Sequence, residues 1–356
     1  MHSSASPLAY DPIAQEAAAA SDPAATREQQ LKAWLISIDP TPCQLSQVAG
    51  DASFRRYFRA RWPDRQAIIM DAPPEKESCA SFVDLCRQWR AVGVAVPALL
   101  AEDQTQGFLL LEDFGDQQLM QAVMTQPCAQ SQAYYQAALR QLVHLQTATS
   151  ATKLPHYSTA LLEQEMHLFD HWFLDTWLGI DTRPAGWADW KQQLIVQALA
   201  QPQVTVHRDY HSRNLMCLDH PTPTLGLLDF QDAVCGPITY DLVSLLKDAY
   251  LDWPAAQQAQ WLADFQQQHP QLQQQDPAQF VQWYDWMGMQ RHLKVAGIFV
   301  RLALRDGKSA YLQDLPLTFQ HLLQALKKYP QLAVIEQWFR EQLAPRLDAK
   351  LDRLTQ

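Results

Sequence analysis

The chain has 356 residues, of which 47% are hydrophobic and 19% charged, with a formal net charge of −10. That length and composition suit a folded protein with room for two lobes and a sizeable core. The acidic balance argues against a nucleic-acid partner, which needs a basic face to displace counterions, and no apolar run approaches the roughly 20 residues of a membrane-spanning helix.

Taken in chain order, residues 1–29 lack both a basic start and an apolar h-region, so they are expected to form a flexible leader rather than a signal peptide. Residues 30–114 read as a small lobe. Leu45–Val48, Phe54–Arg61 and Ala67–Met70 alternate as strands, with a Pro63-Asp64-Arg65 turn between the last two. Ser81 to Val92 sets Phe82, Leu85, Cys86 and Trp89 at i, i+3, i+4 and i+7, the spacing of an apolar helix face. Ala98–Glu102 and Phe108–Glu112 are strand-like around the Asp103–Gly107 turn. Beyond Asp113-Phe114-Gly115 the period changes to 3.6, and residues 115–356 read as a larger lobe. Helices are predicted at about 130–149, 159–178, 186–200, 240–251, 255–268, 277–306, 316–328 and 331–343. The Gln-rich stretch 256–275 keeps Trp261, Leu262 and Phe265 at helical spacing, which favours helix over disorder. On the 277–306 helix, Arg291, Lys294, Arg301 and Arg305 with Ile298 make a basic stripe, of a kind that a solvated face or nearby carboxylates usually explain. Six cysteines (43, 79, 86, 128, 217 and 235) show no C-x-x-C pair or zinc spacing and are expected to be reduced thiols of a cytoplasmic protein.

Within the larger lobe, Val204-Thr205-Val206 leads as a short strand into His207-Arg208-Asp209, followed by Asn214. A second strand-like run, Thr224 to Leu228, delivers Asp229. In H-R-D-x-x-x-x-N the aspartate takes the proton of an attacking hydroxyl and the asparagine holds magnesium, while an aspartate after the next strand holds metal between nucleotide phosphates. Asp209 is therefore the candidate catalytic base. Asn214 and Asp229 are candidate Mg2+ ligands, hard oxygen donors suited to a cation that keeps several waters. His207 reads as a buried organiser of the loop.

The runs His207–Met216, Leu228–Ala233 and Gly236–Leu242, extended by Gln290–Lys294 and Met70–Pro74, carry a resemblance. From about residue 30 onward the chain resembles the aminoglycoside-phosphotransferase branch of the protein-kinase-like fold. Within it, the chain is similar to the anomeric kinases of N-acetylmuramate and N-acetylglucosamine that serve cell-wall recycling. The resemblance implies an α+β, bilobal protein-kinase-like fold with a small antiparallel-sheet N-lobe and a larger, mainly helical C-lobe. It also implies ATP and Mg2+ as cofactors and an amino sugar as acceptor; the chain is expected to be a monomer.

On the nucleotide side, the resemblance places the Gly50–Phe54 loop, with Ser53 and Phe54, over the triphosphate, and Glu112 and Phe114 at the adenine hinge. Met70 stands where kinases usually carry the phosphate-pairing Lys, so Arg55, Arg56 and Arg59 are candidate replacements. Strand alternation puts Arg55 and Arg59 on one face and Arg56 on the other. On the substrate side stand His211, Asp232, Arg291 and His292, since a lactyl carboxylate wants the planar fork of an arginine. Trp283 and Trp286 are either sugar-stacking faces or core. Asp241 either holds the catalytic loop, as its family counterpart does, or caps the helix that starts beside it. Two alternatives stay open: an aminoglycoside or amino-alcohol (choline/ethanolamine-type) kinase, which would need an acidic pocket, and a nucleotide-binding pseudokinase.

Overall fold

The computed structural model of the protein describes residues 23–48, 54–125, 128–218 and 222–354. Helix α1 (Pro23–Ile38) takes up the last residues of the stretch expected as a leader, whose residues 1–22 lie outside the described ones. Leu31, Trp34 and Leu35, at i, i+3 and i+4, are buried in a cluster with Ala60, Trp62, Ile69, Phe108 and Leu110. Arg27 lies over the Phe108 ring, 4.0 Å from its centroid, and donates to Asp71 Oδ1 at 2.9 Å.

Five antiparallel strands form one sheet in the order β1-β2-β3-β5-β4. They are β1 (Gln44–Val48), β2 (Arg56–Arg61), β3 (Gln66–Asp71), β4 (Leu99–Asp103) and β5 (Phe108–Glu112). Alternation along β5 sends Phe108 and Leu110 toward α1, and Leu109 and Leu111 into the main core. Both faces are covered, which accounts for the unbroken Phe-Leu-Leu-Leu run. The turn before β5 requires Gly107: its φ is +72°, and an added Cβ would lie 1.9 Å from the Ala72 carbonyl oxygen. Helix α2 (Ala80–Ala91) buries Phe82, Leu85, Cys86 and Trp89, the face its periodicity predicts.

The second lobe is mainly helical: α3 (Leu119–Thr125), α4 (Cys128–Ala148), α5 (Thr159–Leu168), which runs on in π-type turns to Leu178, α6 (Trp187–Leu199), α7 (Tyr240–Leu246), α8 (Ala255–Gln268), α9 (Pro277–Asp306), α10 (Leu315–Leu326), α11 (Ala333–Trp338) and α12 (Ala344–Asp352). Two antiparallel ribbons interrupt them: β6 (Gln203–Val206) pairs with β9 (Val234–Pro237), and β7 (Leu215–Leu218) with β8 (Thr224–Leu227).

Helix α9, with 30 residues, is about 45 Å long and is the spine of this lobe. Asp276 caps its start by accepting from the Gln279 N–H at 3.2 Å, Pro277 opens it, and left-handed Gly307 closes it. Trp283 and Trp286 are buried in its core face, away from the cleft, so they are packing residues. The helix expected over 240–251 stops at Leu246. Leaving it frees Asp248, whose carboxylate accepts from the backbone N–H groups of Ser212 (2.9 Å) and Tyr250 (3.2 Å). Among the described residues, Cys43, Cys79, Cys86, Cys217 and Cys235 are free thiols, and no helix is long and apolar enough to cross a membrane.

Candidate active site

Strand β6 hands the chain to His207-Arg208-Asp209, and buried carboxylates hold that loop from below. Asp241 accepts from the backbone N–H of His207 at 2.7 Å and of Arg208 at 3.0 Å. Thr239, not Asp241, is the N-cap residue of α7, so Asp241 acts as a clamp on the loop. Burial pushes its carboxyl up to about 7, against the pull of the two N–H donors. The clamp secures Arg208 at φ +75°, a left-handed conformation costing an ordinary residue about 1–2 kcal/mol. His207 is fully buried under Trp89, and its Nδ1 accepts from the Asp209 N–H at 3.3 Å. Burial lowers its pKa to about 4, which makes it a neutral organiser.

Asn214 donates through Nδ2 to the Asp209 carbonyl at 3.1 Å, and its own carbonyl receives the Leu228 N–H at 3.0 Å. Asp229 follows β8, also left-handed at φ +62°. Its Oδ1 accepts from Gln231 Nε2 at 2.8 Å, and Ser81 at the start of α2 donates to the Gln231 carbonyl at 2.8 Å. Phe230 stacks on Phe82, with centroids 4.7 Å apart, and lies 5.4 Å from Trp89. The apolar face of α2 thus positions both Asp229 and His207.

These groups share one cavity of about 620 Å³ between the lobes, lined by Asp209, Asn214 and Asp229 together with Arg55, Glu112 and Phe114 above and His211, Asp232 and Arg291 below. Ser53 lies outside the described residues. Phe54 does not line the cavity; it is 66% exposed, with Lys76 5.8 Å from its ring centroid. His292 faces away: its Nε2 is 3.2 Å from the Lys247 carbonyl, and its ring packs 5.4 Å from His321. It lies next to Arg291 on α9, and a one-residue step turns a helical side chain by about 100°. Glu112 reaches the cavity while its carboxylate binds the Ala98 N–H at 2.9 Å and Arg90 at 3.1 Å.

Of the three candidate arginines, Arg56 binds Asp71 at 3.0 Å on the outer face of the sheet. Arg59 grips the hinge, with Nε 2.6 Å from Asp113 Oδ2 and Nη2 3.1 Å from the Gly115 carbonyl. Arg55 is buried, ion-pairs with Glu77, and lies 3.9 Å from Asp229. Met70 is packed in the core.

The basic stripe on α9 divides. Arg291 and Lys294 are buried at the cavity wall, whereas Arg305 is exposed and binds Asp306. Lys294 leads to a residue that sequence reasoning missed. Glu165 on α5 is buried and accepts from Arg208 (2.7 Å), Lys294 (2.9 Å), Gln290 (3.2 Å) and the Tyr157 hydroxyl. Burial would raise its pKa, but Lys294 and Arg208 outweigh that and hold it below the usual carboxylate range. Its signal in the sequence was a carboxylate on a core stripe, at i+3 from Leu162 and one before Met166. Asp209 follows the same logic: burial pushes it up, while Lys294, His211 and Arg208 bring it below the ordinary value.

No group of three or more His, Cys, Asp or Glu suited to a metal occurs among the described residues. The Asn214–Asp229 pair supplies two hard oxygens, too few for a structural cage but fitting a magnesium ion that keeps water and phosphate ligands. Asn214 commits its amide nitrogen to the Asp209 carbonyl, so its amide oxygen is the atom that could face a metal.

A cleft between a sheet lobe and a helical lobe, with an ionised carboxylate and two oxygen donors on its floor, defines a phosphoryl-transfer enzyme. The model of the phosphotransferase enzyme family (APH) matches residues 44–281, and the chain belongs to that family. An N-acetylmuramate/N-acetylglucosamine kinase of Pseudomonas putida is 41% identical over 303 residues, covering 83% of this chain and 88% of that protein. The kinase of the same name from Neisseria meningitidis serogroup B is 38% identical over 319 residues, covering 86% and 93%. Among solved structures, the choline kinase LicA of Streptococcus pneumoniae matches with a TM-score of 0.60 at 12% identity, covering 85% of this chain and 100% of that one. That likeness speaks for the fold alone, and the fold is the bilobal α+β arrangement expected from the sequence.

Proposed function

We propose that the protein is an ATP- and Mg2+-dependent sugar kinase that phosphorylates the anomeric (C1) hydroxyl of N-acetylmuramate and N-acetylglucosamine, as a cytoplasmic monomer in peptidoglycan recycling. The observation that carries this reading is the convergence of Asp209, Asn214 and Asp229 on one cavity, in a chain about 40% identical to kinases of those two sugars. Asp209 aligns the acceptor hydroxyl and takes its proton while the new O–P bond forms and the γ-phosphorus leaves the β,γ-bridging oxygen. Magnesium, when bound by Asn214 and Asp229, neutralises charge on the phosphate oxygens. Arg55, steadied by Glu77, supplies the cation that Met70 cannot.

The lower part of the cavity is of mixed sign, with Arg213, Arg291 and Lys294 beside Asp209 and Asp232, so the choice between an acidic and a cationic acceptor rests on experiment. The test is to offer purified protein ATP with N-acetylmuramate, N-acetylglucosamine, kanamycin or choline, and to identify products by phosphorus NMR. Sugar 1-phosphates are expected from the first two. Turnover of kanamycin or choline with inert amino sugars would overturn the acceptor assignment, and ATP binding without transfer to any acceptor would establish a pseudokinase.

A further inference from the structure

Arg291 is 4% exposed, lines the catalytic cavity, and has its Nε and Nη1 buried with no hydrogen-bond partner. Its cationic neighbours at the cavity are all engaged. Lys294 and Arg208 bind Glu165, while Arg213 stacks on Tyr250 at 3.6 Å and lies 4.0 Å from Asp314. Among the described residues, no carboxylate lies within ion-pair distance of Arg291. Asp241, which feels its charge, commits one oxygen to the His207 N–H and the other to that of Arg208. An arginine withdrawn from water without an acceptor is costly, and such a group is retained where a ligand completes it. A guanidinium edge matches the two oxygens of a carboxylate.

We propose that Arg291 binds the carboxylate of the acceptor sugar and so favours an acidic amino sugar over its neutral counterpart; this rests on the sugar-kinase reading above. The charges acting most strongly on Asp209 are led by Lys294, His211 and Arg208, and Arg291 is not among them. Arg291 lies about one helical turn before Lys294 and lines the same cavity as Asp209, so an acceptor bound there can present a ring substituent to it. N-acetylmuramate carries its lactyl carboxylate on such a substituent, and N-acetylglucosamine has none.

The experiment measures kcat/KM for both sugars with Arg291→Met and Arg291→Lys, with the KM for ATP and the melting temperature as checks on folding. For Arg291→Met, the ratio of N-acetylmuramate to N-acetylglucosamine efficiency is expected to fall by about 30-fold or more, the scale of a lost charge-assisted pair. Arg291→Lys, which keeps the charge but loses the fork, is expected to fall between, and it supplies the answer if the methionine variant does not fold. An unchanged ratio in a folded variant overturns the assignment of Arg291, as does a wild type that accepts only the neutral sugar. A wild type active on neither sugar instead removes the sugar-kinase reading.

Discussion

At the scale of single residues, the state of Asp209 depends on Lys294. Burial favours the neutral carboxyl, and the Lys294 ammonium leads the charges that reverse the preference. Removing it raises the pKa of Asp209, which must be ionised to accept a proton. Lys294→Met is therefore expected to move the acidic limb of the kcat/KM profile to higher pH. Glu165 would keep Arg208, Tyr157 and Gln290 as partners in that variant, so the fold should survive. A pH profile that loses height without moving its limb would show that Lys294 acts by some other route. Asp209, Asn214 and Asp229 could be read from sequence because a short loop and one ribbon bring them together. Glu165 could not, because its partners Arg208 and Gln290 lie 43 and 125 residues away and only packing unites them. His292 misled for the opposite reason: adjacency to Arg291 in sequence is divergence on a helix.

At the scale of elements, Phe114 is one of the contacts that key the hinge to the helical lobe. The Phe114 ring lies so flat on β8 that a Cβ at Gly226 would come within 2.4 Å of it. Gly226→Ala must displace the ring and the hinge with it. Overpacking of this kind costs about 1–3 kcal/mol, so ATP affinity is expected to weaken by about tenfold, measurable by calorimetry. An unchanged affinity would mean that the position of Phe114 does not set the adenine site. The face of α2 was legible because its period is regular and its targets, Phe230 and His207, are large rings. Helix α1 was overlooked because its short apolar stripe is flanked by Ala- and Gln-rich text. The predicted length of α7 overshot because the tertiary role of Asp248, not local propensity, decides where that helix ends.

At the scale of the molecule, the sheet lobe brings Arg55 and the hinge, the helical lobe brings the catalytic loop, and the acceptor side is walled by α9. Two lobes and their order could be read from the change of period after Asp113-Phe114-Gly115. The acceptor wall could not, because the inward and outward halves of the α9 stripe look alike until the helix is packed. Asp209→Asn keeps the size and shape of the side chain while removing its charge and its ability to take a proton, so it tests the chemical step. With ATP and N-acetylmuramate, the variant is expected to lose at least about 100-fold in kcat, the scale of a lost general base, while ATP affinity measured by calorimetry stays near that of wild type. A variant that turns over at the wild-type rate would contradict the account, because the carboxylate at the centre of the cleft would then take no part in the transfer.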